Sequence, residues 1–179
     1  LRHFSGRLLL PQQVEGATQG LMSTARATAS ADDEPSPGDY RALAEFRYQI
    51  RCFLSFSERA ARGAGIEPQQ HQLLLALKGL PVDRRPNIGV LAERLCLAHH
   101  TTVELVNRLE AIGFVDRRRS GQDKREVLVS ITPAGEALLG SLSRLHREQL
   151  QSVGPLLRDA LEAILSQRFS HVEQNGERR

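Results

Sequence analysis

The sequence predicts a mainly α-helical protein with a small β wing: a winged helix-turn-helix lobe plus a helical dimerisation part. Three observations predict it. Apolar residues recur with helical period twice in close succession, first at Ile88, Leu91, Ala92 and Leu95, then at Thr102, Leu105, Val106 and Leu109. After Gly113 come a run read as strand over Phe114–Arg118, a polar loop with Gly121, and a strand carrying Val127, Val129 and Ile131 on one face. Longer helical patterns flank this block on both sides.

Length and composition set the frame. A chain of 179 residues has room for one domain, or for one core plus an extension. With 40% hydrophobic and 25% charged residues, the composition is that of an ordinary soluble globular protein. The formal net charge of +3 admits an acidic partner without selecting one. Cys52 and Cys96 have neither finger nor CxxC spacing, so reduced thiols in a cytoplasm are expected rather than a disulfide framework. No apolar run approaches the ~18 residues of a membrane span, and Leu8-Leu9-Leu10 is too short for a signal-peptide core.

Taken in order, residues 1–38 lack helical or strand period and end in Asp32-Asp33-Glu34-Pro35-Ser36-Pro37-Gly38. Such a segment buries too little apolar surface to offset its ordering entropy, so it reads as disordered. Met22 is the only methionine, which suggests that 1–21 precede the natural start. Asp39 is expected to cap a helix running to Arg62, with Leu43, Phe46, Ile50 and Phe53 along one seam and Leu54 and Phe56 beyond it. Apolar residues on more than one side imply burial on more than one side, as against a second subunit. Gly63 and Gly65 end this helix. Pro68 suits the first position of the next, Gln69–Lys78, which carries Leu73, Leu74, Ala76 and Leu77. Gly79 and Pro81 stop it, and Val82–Asn87 reads as a polar connection.

Gly113 closes the second short helix, because glycine enters the left-handed conformation without steric cost. Thr132-Pro133 reads as N-cap and first residue of a long helix striped by Leu138, Leu142 and Leu145. Gly154-Pro155 should break or kink that pattern, since proline removes a donor and crowds the preceding turn. A last helix follows with Leu157, Leu161, Ile164 and Leu165. Residues 171–179 read as a flexible tail.

The strings LAERL at 91–95, ELVNRLEAIGFV at 104–115 and DKREVLVSITPAGEALL at 123–139, in this order, resemble the MarR family of bacterial transcriptional regulators. The likeness spans about Asp39 to Phe169. It implies a winged helix-turn-helix at about 66–132 between dimerisation helices at 39–65 and 133–170, together a MarR-type domain over 39–170. It further implies a homodimer on palindromic double-stranded DNA, mostly a repressor released by a small effector, often an aromatic acid. One departure is that Ala98-His99-His100 stand where relatives often place Ser or Arg at the start of the recognition helix.

On that helix, the face opposite Thr102, Leu105 and Leu109 presents His99, His100, Thr101, Glu104, Asn107 and Arg108. A recognition helix meets base edges with its N-terminal part, where Glu104 can accept from a cytosine amino group and Asn107 can pair with adenine or hold a phosphate. The blander reading is a solvated face with Thr101 and Glu104 as a capping box. Arg117, Arg118 and Arg119 are expected to enter the hairpin loop, and Lys124 and Arg125 to leave it. A basic two-stranded tip reaches a phosphate backbone or a narrow minor groove. The family resemblance makes Arg125 the minor-groove residue and Asp123 its orienting partner; the competing reading is a local surface ion pair holding the turn.

Other chemistries find less support. His71, His99, His100 and His146 offer one adjacent pair where a metal needs three or four converging ligands, so no metal and no cofactor are expected. Cys52, one turn after Tyr48, allows a redox-sensing regulator on the same fold, although a packed inert thiol is the commoner state. Cys96, between Leu95 and Leu97, reads as core. No nucleophile elbow, phosphate loop or zinc-protease string suggests an enzyme. A winged helix used only for protein–protein contact is the remaining alternative, and it would not need the arginine cluster.

Overall fold

The computed structural model describes residues 35–119, 121 and 126–176, with side chains described as far as 166. In chain order it contains α1 (Pro37–Gly63), α2 (Pro68–Lys78), α3 (Ile88–Leu95), α4 (His99–Ala111), β1 (Val115–Arg119), β2 (Val127–Ile131) and α5 (Pro133–Gly176). These described residues fall into two compact units: a winged unit, 72–135, and a helical unit made of 35–71 and 136–176. The class is the mainly helical one that the sequence predicts, with a two-stranded antiparallel sheet.

In the winged unit, Asn87 starts α3 by accepting from the Val90 N–H at 2.9 Å. The helix ends on Cys96, whose φ of 53° is left-handed. That cap turns the thiol outward, so Cys96 is exposed rather than part of the core, while Leu95 and Leu97 on either side are half-buried. α4 buries Thr102, Leu105, Val106 and Leu109, the face that its apolar spacing predicts. Gly113, at φ 78°, closes α4 in a Schellman arrangement. Its N–H donates to the Glu110 carbonyl at 2.9 Å, and the Phe114 N–H to the Leu109 carbonyl at 2.9 Å.

The wing runs in register Val115↔Ile131, Arg117↔Val129 and Arg119↔Val127. Arg117, Arg118 and Arg119 therefore lie within β1 and not in the loop beyond it. Strand pairing extends one residue further than the apolar pattern indicates, because backbone bonds hold a strand whatever its side chains. Before α3 the chain lies along β2: Asn87 bridges Leu128, and the Val129 N–H donates to the Pro86 carbonyl at 2.8 Å. At the far end, Thr132 ties the wing to the start of α5. Its hydroxyl donates to the Gly113 carbonyl at 2.7 Å and accepts from the Gly135 N–H at 3.1 Å. Gly135 is required there. A Cβ at this position would overlap the Phe114 carbonyl oxygen and lie 2.9 Å from Ile131 Cγ2. Leu73, Leu74, Leu91, Leu105, Val106, Leu109, Val115 and Val129 form this unit's core.

In the helical unit, α1 begins three residues earlier than the sequence suggests. Ser36 is the N-cap, Pro37 takes the first helical position, and Asp39 is the acidic third residue of a capping box. The Asp39 N–H donates to Ser36 Oγ at 3.2 Å, and the Ser36 N–H to Asp39 Oδ2 at 2.8 Å. The reciprocal pair satisfies two terminal donors, where an Asp39 cap would satisfy one. The face of α1 that is buried carries Ala42, Gln49, Ser57 and Ala61. The expected seam of Phe46, Ile50 and Phe53 is half-buried, and Leu43 is exposed.

α5 is one helix through Pro155, not two. Proline deprives the Gln151 carbonyl of its donor, but Gln151 and Pro155 are both exposed, so water takes that bond without ending the helix. Of the expected stripe, Leu142 is buried, Leu138 is half-buried and Leu145 is 46% exposed, with Leu139 taking the inner position. Of the disorder expected over 1–38, Ser36, Pro37 and Gly38 instead form the cap and first turn of α1, and 1–34 lie outside the described residues; of the tail expected over 171–179, α5 continues through Gly176 and 177–179 lie outside them. No helix among the described residues is long and apolar enough to cross a membrane.

Candidate nucleic-acid interface

α4 starts bare. Ala98 stands at the N-cap and offers no side-chain acceptor. The expected Thr101–Glu104 capping box does not form, because the helix begins at His99 and places neither residue at the cap. Thr102 instead folds its hydroxyl back on the Ala98 carbonyl at 3.2 Å. His99, His100, Glu104, Asn107 and Arg108 are exposed and Thr101 is half-buried. Glu104 faces Arg108 one turn later at 3.9 Å, a solvated pair worth ~0.3–0.5 kcal/mol that leaves both groups accessible. The solvent side of α4 therefore offers two imidazoles and an acid in its N-terminal part and a base in its last turn.

The three arginines of β1 have different fates. Arg117 turns to α4, where its guanidinium donates to Asn107 Oδ1 and pairs with Glu110 at 3.4 Å. Two residues counted toward DNA contact, Asn107 and Arg117, thus hold each other. Arg118, on the other face of the strand, is exposed and reaches Ser130 Oγ at 3.3 Å. Arg119 is exposed. Asp123, Lys124 and Arg125, at the tip, lie outside the described residues.

A second set of residues braces the wing, and sequence reasoning missed it. Asn87, besides capping α3, donates through Nδ2 to Glu126 Oε1 at 2.8 Å. The other oxygen of Glu126 pairs with Arg85 at 2.7 Å. Arg84 pairs with Glu93 of α3 at 2.6 Å. One asparagine thus links the start of α3 to the residue that follows Arg125. The signal was faint: Glu126 is an acid amid a basic run, and it meets residues 85–87 only because Asn87 bridges Leu128 in the fold.

The remaining candidates stand apart. Cys52 is half-buried and a free thiol; its hydrogen bond with Tyr48, before the nearby charges, raises the Tyr48 hydroxyl above its ordinary 10.0. Among the described residues, no group of three or more His, Cys, Asp or Glu side chains could hold a metal ion.

The MarR family model matches residues 64–126, from the turn before α2 to the base of the wing. The uncharacterised HTH-type transcriptional regulator YkoM of Bacillus subtilis is 26% identical over 140 residues, 74% of this chain and 89% of YkoM. The transcriptional repressor CouR, solved on a 23-mer DNA duplex, is 25% identical with a TM-score of 0.55, over 75% of this chain and 98% of CouR. AbsC of Streptomyces coelicolor, a MarR family regulator, shares the fold at 16% identity with a TM-score of 0.61, over 80% of this chain and 98% of AbsC. Matched segment, relatives and fold agree in kind: the winged helix-turn-helix matches the MarR family model, and the chain is similar to HTH-type regulators and to solved MarR family structures.

Proposed function

We propose that this protein is a sequence-specific regulator of transcription that binds palindromic double-stranded DNA as a homodimer and represses until a small effector releases it. The observation that carries the reading is the outward face of α4. It presents exposed His99, His100 and Glu104 in its first two turns, and Arg108 in its last, beside a wing whose Arg118 and Arg119 point to solvent. A helix presenting hydrogen-bonding groups at its N-terminal end, next to a cationic ribbon, suits base edges in a major groove with phosphates alongside. CouR, a repressor captured on DNA, supports the repressor role.

In this reading His99, His100, Thr101, Glu104 and Arg108 face the groove. Arg118, Arg119, Lys124 and Arg125 supply charge to the backbone or the minor groove, and Asp123 orients Arg125. Asn107 and Arg117 serve mainly by fixing the wing to the recognition helix. The homodimer draws support from large apolar side chains left exposed on the flanking helices, Leu43 and Leu54 on α1 and Leu150, Leu156, Leu161 and Leu165 on α5. A two-fold dimer reads half-sites about one DNA turn apart, ~34 Å.

Selection of bound duplexes from a random pool, at fixed salt, tests the function. A palindromic motif is expected, bound far more tightly than random sequence. Uniform weak binding, or none, would return the protein–protein alternative. Small aromatic acids, suggested by the family resemblance, are then added to the selected complex. A ligand that binds the protein and leaves DNA affinity unchanged would remove effector release from the proposal.

A further inference from the structure

The helical unit holds a stacked pair of histidines, one buried and one half-buried, that no role above requires. His71, in the first turn of α2, is 3% exposed. Its ring stacks on that of His146 from α5, with centroids 4.9 Å apart and planes 28° from parallel. Phe53 and Phe56 of α1 meet His146 edge-on at 5.9 and 5.7 Å. Both nitrogens of His146 are engaged: Nδ1 with the Leu142 carbonyl at 2.6 Å and Nε2 with Ser57 Oγ at 2.8 Å. A carbonyl only accepts, so Nδ1 carries the hydrogen, and the Ser57 hydroxyl donates to a neutral Nε2.

This arrangement treats one proton and two protons differently. A proton arriving on Nε2 of His146 finds Ser57 Oγ ready to accept, so a singly charged pair keeps both hydrogen bonds with only the hydroxyl turning. A second proton has no such reception. It would put two imidazolium rings 4.9 Å apart, face to face, in a site walled by two phenylalanines. Burial first, and the charge of His146 second, hold the His71 imidazole below its ordinary 6.5. The groups facing the pair are Phe53, Phe56 and Ser57 from α1, and the Leu142 carbonyl from α5. Among the described residues, no charge besides that of His146 bears on His71.

We propose that the His71–His146 stack is an acid-sensitive latch, which accepts one proton and must open to accept the second, loosening the first turn of α2 from α1 and α5. The sign follows from linkage. In the unfolded chain His71 takes its proton near 6.5, and in the folded chain only at lower pH. The stabilisation that depends on a neutral His71 is therefore complete above about 6.5. It declines as the pH falls toward the depressed folded value, and levels off below that. This holds whether or not the protein binds DNA.

The test is a ring titration of the histidines of the full chain by NMR, alongside urea unfolding from pH 7.5 to 5. For His71 a midpoint beneath the ordinary histidine range is expected. In His146→Gln the His71 midpoint should rise toward the ordinary value. The urea midpoint should fall with acidification in the wild type and lose most of that slope in His71→Gln. An ordinary His71 midpoint, unmoved by His146→Gln, would overturn the latch, as would an acid slope of stability equal in wild type and His71→Gln. Should a variant fail to fold, the wild-type titration decides alone, since an ordinary His71 midpoint excludes the latch.

Discussion

The winged and helical units differ in how many large apolar side chains they leave outside. In the winged unit Leu73, Leu74, Leu91 and Leu109 are sealed from solvent, and the polar groups around them are caps, turns and ion pairs at the rim. In the helical unit, large apolar side chains stand outside, at Leu43, Leu54, Leu150, Leu156, Leu161 and Leu165, while Gln49, Ser57, Gln70 and His71 are buried. One unit closes its core within one chain. The other keeps an apolar stripe along two long helices, which is what the proposed homodimer requires and an isolated protomer would shed.

The same substitution made in both units should break or sharpen that contrast, and it carries the largest effect. Leu74→Ala removes a fully buried side chain and should cost ~2–5 kcal/mol in urea unfolding, at any protein concentration. Leu165, 51% exposed, should cost under ~0.5 kcal/mol if water is its final neighbour. On a dimer surface, Leu165→Ala should instead lower stability more at high protein concentration than at low, because association is then part of the folding equilibrium. Ile50→Asp should shift the species seen in sedimentation from dimer to monomer. A dimer undisturbed by both changes would place the association surface elsewhere.

Gly135→Ala comes next and concerns the seam between wing and helix. The added methyl meets backbone, the Phe114 carbonyl, which cannot swing aside as a side-chain end would. An overpacking cost of ~1–3 kcal/mol is expected, with the Thr132 hydrogen bonds weakened. A neutral result would mean that the start of α5 is free to shift. Below it stands Asn87→Ala, at ~0.5–2 kcal/mol for the lost cap of α3. Asn87→Asp separates the cap from the brace: it keeps the acceptor for Val90 but sets a carboxylate against Glu126. If Asn87 matters only as a cap, Asp should restore full stability and full DNA affinity; the brace predicts stability restored and affinity reduced.

What the sequence made legible was mostly local. The buried face of α4, the glycine that ends it and the Thr132-Pro133 start of α5 each follow from spacing within one or two turns. Where the reading slipped, a competing local rule or a distant partner decided. Ser36 displaced Asp39 as the cap because a reciprocal pair satisfies two donors. Pro155 did not end α5 because the orphaned carbonyl faces water. Cys96 left the core because its left-handed backbone turns the side chain out. Glu126 was invisible as a brace because its partners lie 39 and more residues away, and the bridge between Asn87 and Leu128 brings them together. The Arg117–Asn107 tie was hidden for the same reason: helix and strand were each read alone.

The smallest expected effect separates the arginines of β1. Arg118 and Arg119 are exposed, so replacing either with alanine should leave fold stability within ~0.5 kcal/mol. Each cation that meets a phosphate releases about one counterion, so losing it should flatten the dependence of log affinity on log salt by ~1, equally on selected and random DNA. Arg117→Ala should behave otherwise. It frees Asn107 and Glu110 on α4 and unties the wing, so the selected sequence should lose more affinity than random DNA does, with a smaller change in salt slope. Titrations at three salt concentrations on both duplexes distinguish the outcomes. If all three variants flatten the slope alike, Arg117 leaves its partners on α4 to meet DNA. If none does, β1 stands clear of the backbone, and the charge that matters belongs to the tip.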